Sequence, residues 1–450
     1  MPQEAPRQFP VRCPSRRAPS ARRRQMSANP NRWLRKLGPG VITGAADDDP
    51  SGIATYSQAG AQFGFGLGWT VVLTLPLMIG IQMISARIGR VTGHGLASNI
   101  RRHYPAPILY AVVALLFVAN TINVAADIAA MAESVHLVAG GPAQLYAVAF
   151  GAVCLSLEVF MSYRKYVRYL KWLTLALFAY VGVVLSVDVR WSQVLAGIVL
   201  PRMELSASAL TLVVAIFGTT ISPYLFFWQA AQEVEEAAAA AARARHTNAA
   251  STARGANAAS TGRQLRRIEL DTIAGMTFSN LIALAIIVSA AATLHPAGIT
   301  HIETSAQAAE ALRPIAGPFA FALFCLGIVG TGMLAVPVLA GSAAYAVAET
   351  FRWKHGLDLK PHQARGFYAI VALATAGGVI LNFVGIDPIR ALVWAAVING
   401  VAAVPIMAVM MFLATDRRVL GKFTVRRWLK LAGWLATATM AAAVAAMLVL

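Results

Sequence analysis

Residues 38–69 read GPGVITGAADDDPSGIATYSQAGAQFGFGLGW, and the nine residues 44–52 within them, GAADDDPSG, decide how the chain folds. Three consecutive aspartates, Asp47, Asp48 and Asp49, interrupt an apolar run that extends from residue 38 to residue 60. Pro50, Ser51 and Gly52 follow at once, and none of them favours continuing a helix. A carboxylate at the centre of a bilayer costs about 2.5–3.5 kcal/mol on insertion scales. Three of them together must face protein, water or a cation rather than lipid. Pro50 removes a backbone donor and the Ser-Gly pair lets the chain unwind, which frees carbonyl oxygens and exposes two half-helix ends.

The rest of the chain supplies the membrane. Hydrophobic residues make up 58% of it and charged residues only 13%, about half the charged fraction of a soluble domain. Apolar runs near the length of one crossing occur at 38–60, 65–87, 107–131, 143–162, 167–187, 208–230, 270–293, 317–345, 367–384, 388–413 and 429–449. If the N-terminus is cytoplasmic, the inner segments hold 34 of the 38 Lys and Arg residues, leaving Arg190, Arg202, Arg313 and Arg390 outside. That alternation follows the positive-inside rule for eleven spans. It also accounts for most of the net charge of +18 through topology and contact with anionic lipid, and no basic folded domain is read that would bind nucleic acid.

Residues 1–37 read as a basic cytoplasmic tail, disordered at its start, and 38–187 as a first five-helix unit. An external loop, 188–207, leads to a second five-helix unit, 208–413, which carries a low-complexity flexible linker at 231–268. A cytoplasmic loop, 414–428, precedes an eleventh helix at 429–450. Cys13, Cys154 and Cys325 have no framework spacing, so neither a disulfide scaffold nor a metal cluster is expected. No nucleophile–base pair is visible, and no enzyme activity is expected. The setting is an integral membrane protein of a bacterial inner membrane.

Span six repeats the device of span one. IFGTTISPYLFFWQ, residues 216–229, places Pro223 in mid-span after Thr219, Thr220 and Ser222. The two broken spans are five apart, and an odd spacing inserts a second copy of a five-helix unit upside down. Matching breaks in inverted halves point to a secondary transporter that binds its substrate near the midplane. A proline kink or a Ser/Thr cluster is commonly structural, so Pro223 alone decides little. Asp49 beside a mid-span proline decides more.

These residues resemble the NRAMP family of divalent-metal transporters. The stretch 38–69 aligns without gaps to that family's first helix through its Gly-Pro opening, an Asp-Pro pair, Ala-Thr, Gln-Ala-Gly-Ala and Phe-Gly. FGTTISPYLFFWQ, residues 217–229, is similar to the family's sixth helix, and FLATDRRVLGKF, residues 412–423, to the end of its tenth. The resemblance implies an all-helical fold of eleven spans, two inverted five-helix repeats and one extra helix. It also implies a cation site made of Asp49, the Ala46 and Thr219 carbonyls and helix-six side chains. Three departures fall on that site. The family's asparagine falls on Gly52, its methionine on Ser222, and the histidine after its proline on Tyr224.

Loss of the thioether removes a soft ligand, and glycine in place of asparagine is expected to widen the cavity. Such a site suits a partly hydrated hard cation such as Mg²⁺, as in the NRAMP-related magnesium-transporter branch. Proton-coupled Mn²⁺ or Fe²⁺ import is the runner-up, and a sodium-coupled amino-acid transporter of the same architecture comes after it. In helix three the resemblance leaves one carboxylate, Asp127, with Asn120 and Ala130 at the neighbouring acidic positions. Asp47, Asp48, Asp127 and Tyr224 are therefore candidates for a proton path or gate, with weak or absent coupling expected. The bland reading of Asp127 is a carboxylate paired with Arg365 or a backbone amide. Asn399 stands about one turn from a family ligand position in helix ten, where a helix–helix hydrogen bond is the competing role. Tyr56 and Gln58 lie on the outer half of the first span. No cofactor is expected beyond the transported cation, and the expected partners are lipid, metal ions and protons.

Overall fold

The computed structural model describes residues 43–44, 46–161, 173–199, 206–246, 257–357, 359–385 and 387–449. Its long helices are α1 Pro50–Phe63, α2 Gly68–Thr92, α3 Leu96–His103, α4 Ala106–Ala139, α5 Ala143–Phe160 and α6 Phe178–Ser186. They continue as α7 Ala207–Thr220, α8 Pro223–His246, α9 Asn257–Thr293, α10 Ala320–Thr350, α11 Arg365–Leu381, α12 Pro388–Thr415 and α13 Arg427–Val449.

Proline alone does not break these helices. Pro76, Pro337 and Pro405 sit inside the continuous helices α2, α10 and α12, whose other residues keep the backbone helical around the missing donor. The chain breaks where a proline has polar flanks. Residues 46 and 47 are helical, Asp48 and Asp49 are not, and α1 restarts at Pro50 with Asp49 as its N-cap. Pro at the first helical position loses nothing, because that amide has no partner in a helix anyway. The second break falls at Ile221 and Ser222, between α7 and α8.

Helix pairing reveals the internal repeat. The C-terminal half of helix one, α1, packs on α9 as α8 packs on α2, and α5 packs on α10 as α11 packs on α4. Likewise α4 packs on α12 as α10 packs on the turn Leu173–Leu177 that leads into α6. Each contact recurs with its two partners exchanged between halves, as a pseudo-two-fold axis between inverted repeats requires. The axis passes between α4 and α10, which pack on each other.

Among the described residues nine helical stretches are long and apolar enough to cross a membrane. The count is ten if Leu175–Ser186 and Trp191–Val199, bent by 116°, form one crossing. The eleven spans of the sequence reading are not reached by this measure. Pro50–Thr92 counts as one stretch of 43 residues, because α1 and α2 are joined through the tight turn Gly64–Leu67 with no loop between them.

Three segments expected as linker or loop hold helix. The flexible linker 231–268 is mostly helix, since α8 continues to His246 and α9 begins at Asn257, with 247–256 outside the described residues. Its alanine- and glutamate-rich composition has high helix propensity, and low complexity concealed that. The external loop 188–207 contains the helix Trp191–Val199, and the loop 414–428 contains the turn of helix Arg417–Leu420. The basic tail 1–37 lies outside the described residues.

Candidate metal site

Asp49 does local structural work before it does any chemistry. Its Oδ1 accepts from the Gly52 amide at 2.8 Å and from the Ser51 hydroxyl at 2.6 Å, and these bonds cap α1. A carboxylate at a helix N-terminus also faces the positive end of the helix dipole. Its Oδ2 points the other way, to the Tyr224 hydroxyl, 3.3 Å distant. The same hydroxyl lies 3.1 Å from the Ala46 carbonyl, which is left free because the helix ends after Asp47 and Pro50, four residues on, has no N–H to donate. Asp49 is 1% exposed.

Across the break, Ser222 donates within its own segment, its Oγ lying 2.8 Å from both the Gly218 and Thr219 carbonyls. The hydroxyl thus caps two carbonyls that the end of α7 leaves without amide partners. Its lone pairs remain available to a cation. Gly218 brings α12 close, since a side chain there would strike the Ala396 carbonyl and the Gly400 backbone. Asn399 belongs to that packed segment, fully buried, and neither atom of its amide has a hydrogen-bond partner among the described residues.

The space at Gly52 corrects one expectation. A Cβ built there would lie 3.1 Å from Thr219 Oγ1, 3.3 Å from the Tyr56 ring and 3.6 Å from Asp49 Oδ1. Glycine therefore does not widen the site. The Thr219 side chain occupies the room, and it returns an oxygen where the asparagine amide is lost. Thr219 entered the sequence reading for its carbonyl alone. Its hydroxyl was missed because the approach of α7 to α1 is tertiary.

Asp47 and Asp48 are buried, at 1% and 2% exposed, and turn away from Asp49 toward α9. Ser279 Oγ lies 2.6 Å from Asp47 Oδ2 and 3.0 Å from Asp48 Oδ1. Ser279 was not anticipated. The available signal was the Ser279–Asn280 pair, polar in the middle of an otherwise apolar span. On the other side, Asp127 of α4 is fully buried and both its oxygens lack a partner among the described residues. That excludes the pairing with Arg365 or a backbone amide. Asp127 lies on α4, which packs against α1. Asn120 serves the scaffold, its amide donating to the Leu339 carbonyl at 2.8 Å and to Ser342 at 2.7 Å, which ties α4 to α10. Further along α1, Gln58 ties the helix to the segment after α9, accepting from the Ile302 amide at 2.8 Å and donating to the Thr300 carbonyl at 3.1 Å.

The first break thus brings the Asp49 carboxylate, the Ala46 carbonyl and the Tyr224 hydroxyl together, with the Thr219 side chain beside Gly52 and Ser222 at the matching break. Residues 40–450 match the family described as natural resistance-associated macrophage protein-like.

The chain belongs to the Nramp family.

It is 27% identical over 414 residues to the divalent metal cation transporter MntH of Klebsiella pneumoniae (strain 342), covering 90% of this chain and 91% of that one. It is 28% identical over 418 residues to the MntH of Deinococcus radiodurans, covering 90% and 87%. Among solved structures it is similar to a manganese transporter of Eremococcus coleocola in complex with an aromatic bis-isothiourea substituted compound. The TM-score there is 0.71 at 16% identity, over 93% of this chain and 87% of that one. MhsT in complex with L-phenylalanine has a TM-score of 0.60 at 11% identity, over 92% and 98%. Those two likenesses show the fold. By its family and its MntH relatives the Nramp chain is an integral membrane transporter of divalent metal cations and not an enzyme.

Proposed function

We propose that this Nramp chain moves hard divalent cations, Mg²⁺ and Mn²⁺, by alternating access around Asp49. Asp49 supplies the charge, and the carbonyls of Ala46 and Thr219, the hydroxyls of Thr219 and Ser222, and Asn399 supply neutral oxygens or hold the cation's waters. The observation that carries the reading is the all-oxygen character of the break, with Ser222 where the family has methionine. Carboxylate, carbonyl and hydroxyl oxygens suit Mg²⁺ and Mn²⁺, whereas sulfur favours softer ions.

Mg²⁺ is not favoured over Mn²⁺ by this geometry. Mg²⁺ gives up its waters reluctantly, and the room that Gly52 was expected to leave for them is taken by Thr219. The relatives' names, divalent metal cation transporter and manganese transporter, support Mn²⁺ equally. Coupling to protons is weak or absent in this reading, because tyrosine replaces the family's histidine after Pro223 and Asp127 is the one acid kept in its stretch of helix three.

The test is uptake of Mg²⁺ and Mn²⁺ into proteoliposomes, with and without a pH gradient, with Cd²⁺ as competitor. Uptake of either ion that ignores the gradient and resists Cd²⁺ supports the reading. Proton-driven Mn²⁺ uptake blocked by Cd²⁺, with Mg²⁺ excluded, would reject it.

A further inference from the structure

A second polar cavity lies at the arginine-rich face of the membrane, away from the metal site. It measures about 480 Å³ and is walled by Arg87 of α2, by Arg266 and Glu269 of α9, and by Phe423 and Arg426 from the turn before α13. Three guanidinium groups against one carboxylate leave the wall with a formal charge of +2. Arg87 is only 9% exposed, and its Nε donates to the Phe423 carbonyl at 2.8 Å. None of the three arginines makes an ion pair among the described residues. A buried guanidinium whose remaining donors face a polar cavity calls for an anion, and the planar fork matches phosphate oxygens well.

The place of the cavity identifies the anion's source. Arg87 stands five positions before the end of α2, and Arg426 immediately precedes α13. Helix α13 is apolar and largely unburied, so its outer side meets lipid. Trp428, Leu431 and Leu435 are 49%, 69% and 50% exposed, and their spacing puts them on one face of the helix. An apolar track therefore starts where the arginine pocket ends. Tryptophan at that level is typical of the bilayer interface, and basic pockets between helices on this side suit anionic headgroups.

We propose that this cavity binds the phosphate headgroup of an anionic phospholipid, with an acyl chain lying along Trp428, Leu431 and Leu435. The headgroup joins α2, α9 and the turn into α13, three segments far apart in sequence.

The experiment titrates the purified full chain in detergent with phosphatidylglycerol, with phosphatidylcholine and, in a third arm, with inorganic phosphate. Native mass spectrometry counts bound lipid and Tm is followed in parallel. Phosphatidylglycerol should bind at least about tenfold more tightly than phosphatidylcholine and raise Tm. Arg266 and Arg426 are exposed, so the variant Arg266→Gln/Arg426→Gln should fold with an unchanged lipid-free Tm while its preference falls to about threefold or less. Equal binding of the two lipids by the native chain would overturn the proposal, as would an undiminished preference in the double variant. Protection by inorganic phosphate equal to that by phosphatidylglycerol would give the cavity to a soluble anion instead.

Discussion

Tyr224 and Asp49 lie 3.3 Å apart across the two helix breaks, and the tyrosine hydroxyl also reaches the Ala46 carbonyl at 3.1 Å. The phenol thus sits against two oxygens that a cation at this site would take. One O–H hydrogen can serve only one acceptor fully at a time, so the pair is held loosely and is open to replacement by a charge. A cation bound in the way proposed above would compete with the Tyr224 hydrogen bond for these oxygens.

The variant Tyr224→Phe removes that competitor and changes no charge. A hydrogen bond of about 1 kcal/mol net corresponds to roughly a fivefold change in binding constant. Mn²⁺ should therefore bind about fivefold more tightly at equilibrium, read by calorimetry on the purified protein. Unchanged or weaker binding would show that the hydroxyl supports the cation rather than standing in its place.

Asp49→Asn tests the charge separately from the cap. The amide oxygen still accepts from Gly52 and Ser51, so α1 should start at the same residue and Tm should move little. Transport of Mn²⁺ and Mg²⁺ in proteoliposomes should fall by about a hundredfold or more, since a neutral oxygen replaces the anionic ligand of a dehydrated divalent ion. Retention of even a third of the native rate would place the cation elsewhere.

The sequence made Asp49 legible because an Asp-Pro pair in an apolar run has few structural explanations, and it made the inverted repeat legible through the second break at Pro223. What it hid depended on approach between helices. Thr219 fills the space beside Gly52, and Gly218 lets α7 lie against α12; no local pattern announces either approach. Ser279 meets Asp47 and Asp48 across two segments separated by more than two hundred residues. The helical course of 231–246 was hidden for the opposite reason, since its alanine-rich composition reads equally as linker and as helix.

Ser279 has a single hydrogen and faces two carboxylates. In Ser279→Ala both lose a buried partner, at a cost of about 1–3 kcal/mol, and Tm in detergent should fall by about 1–3 °C. Adding Asp48→Asn supplies a new donor next to Asp47 and should recover most of that loss. If the single variant is as stable as the native chain, the Asp47–Ser279–Asp48 contact contributes nothing to holding the inner part of helix one on α9.

Gly52 and Thr219 should behave as one unit. A side chain at 52 meets Thr219 Oγ1 at 3.1 Å, a contact tighter than a well-packed interior tolerates without movement. Gly52→Asn alone should therefore push α1 from α7 and reduce Mn²⁺ transport about tenfold or more, although it restores the family's residue. Thr219→Ala alone removes one oxygen from the site and should weaken binding by about 1 kcal/mol. Combined, the asparagine enters the space the threonine vacates and again presents an amide oxygen beside Asp49, so Gly52→Asn/Thr219→Ala should transport better than either single variant. A double-mutant cycle on uptake rate reads this directly, with a coupling of about 1–3 kcal/mol expected in favour of the pair. Additive losses would mean that the two positions do not share the space beside Asp49, and that Thr219 is a backbone ligand alone.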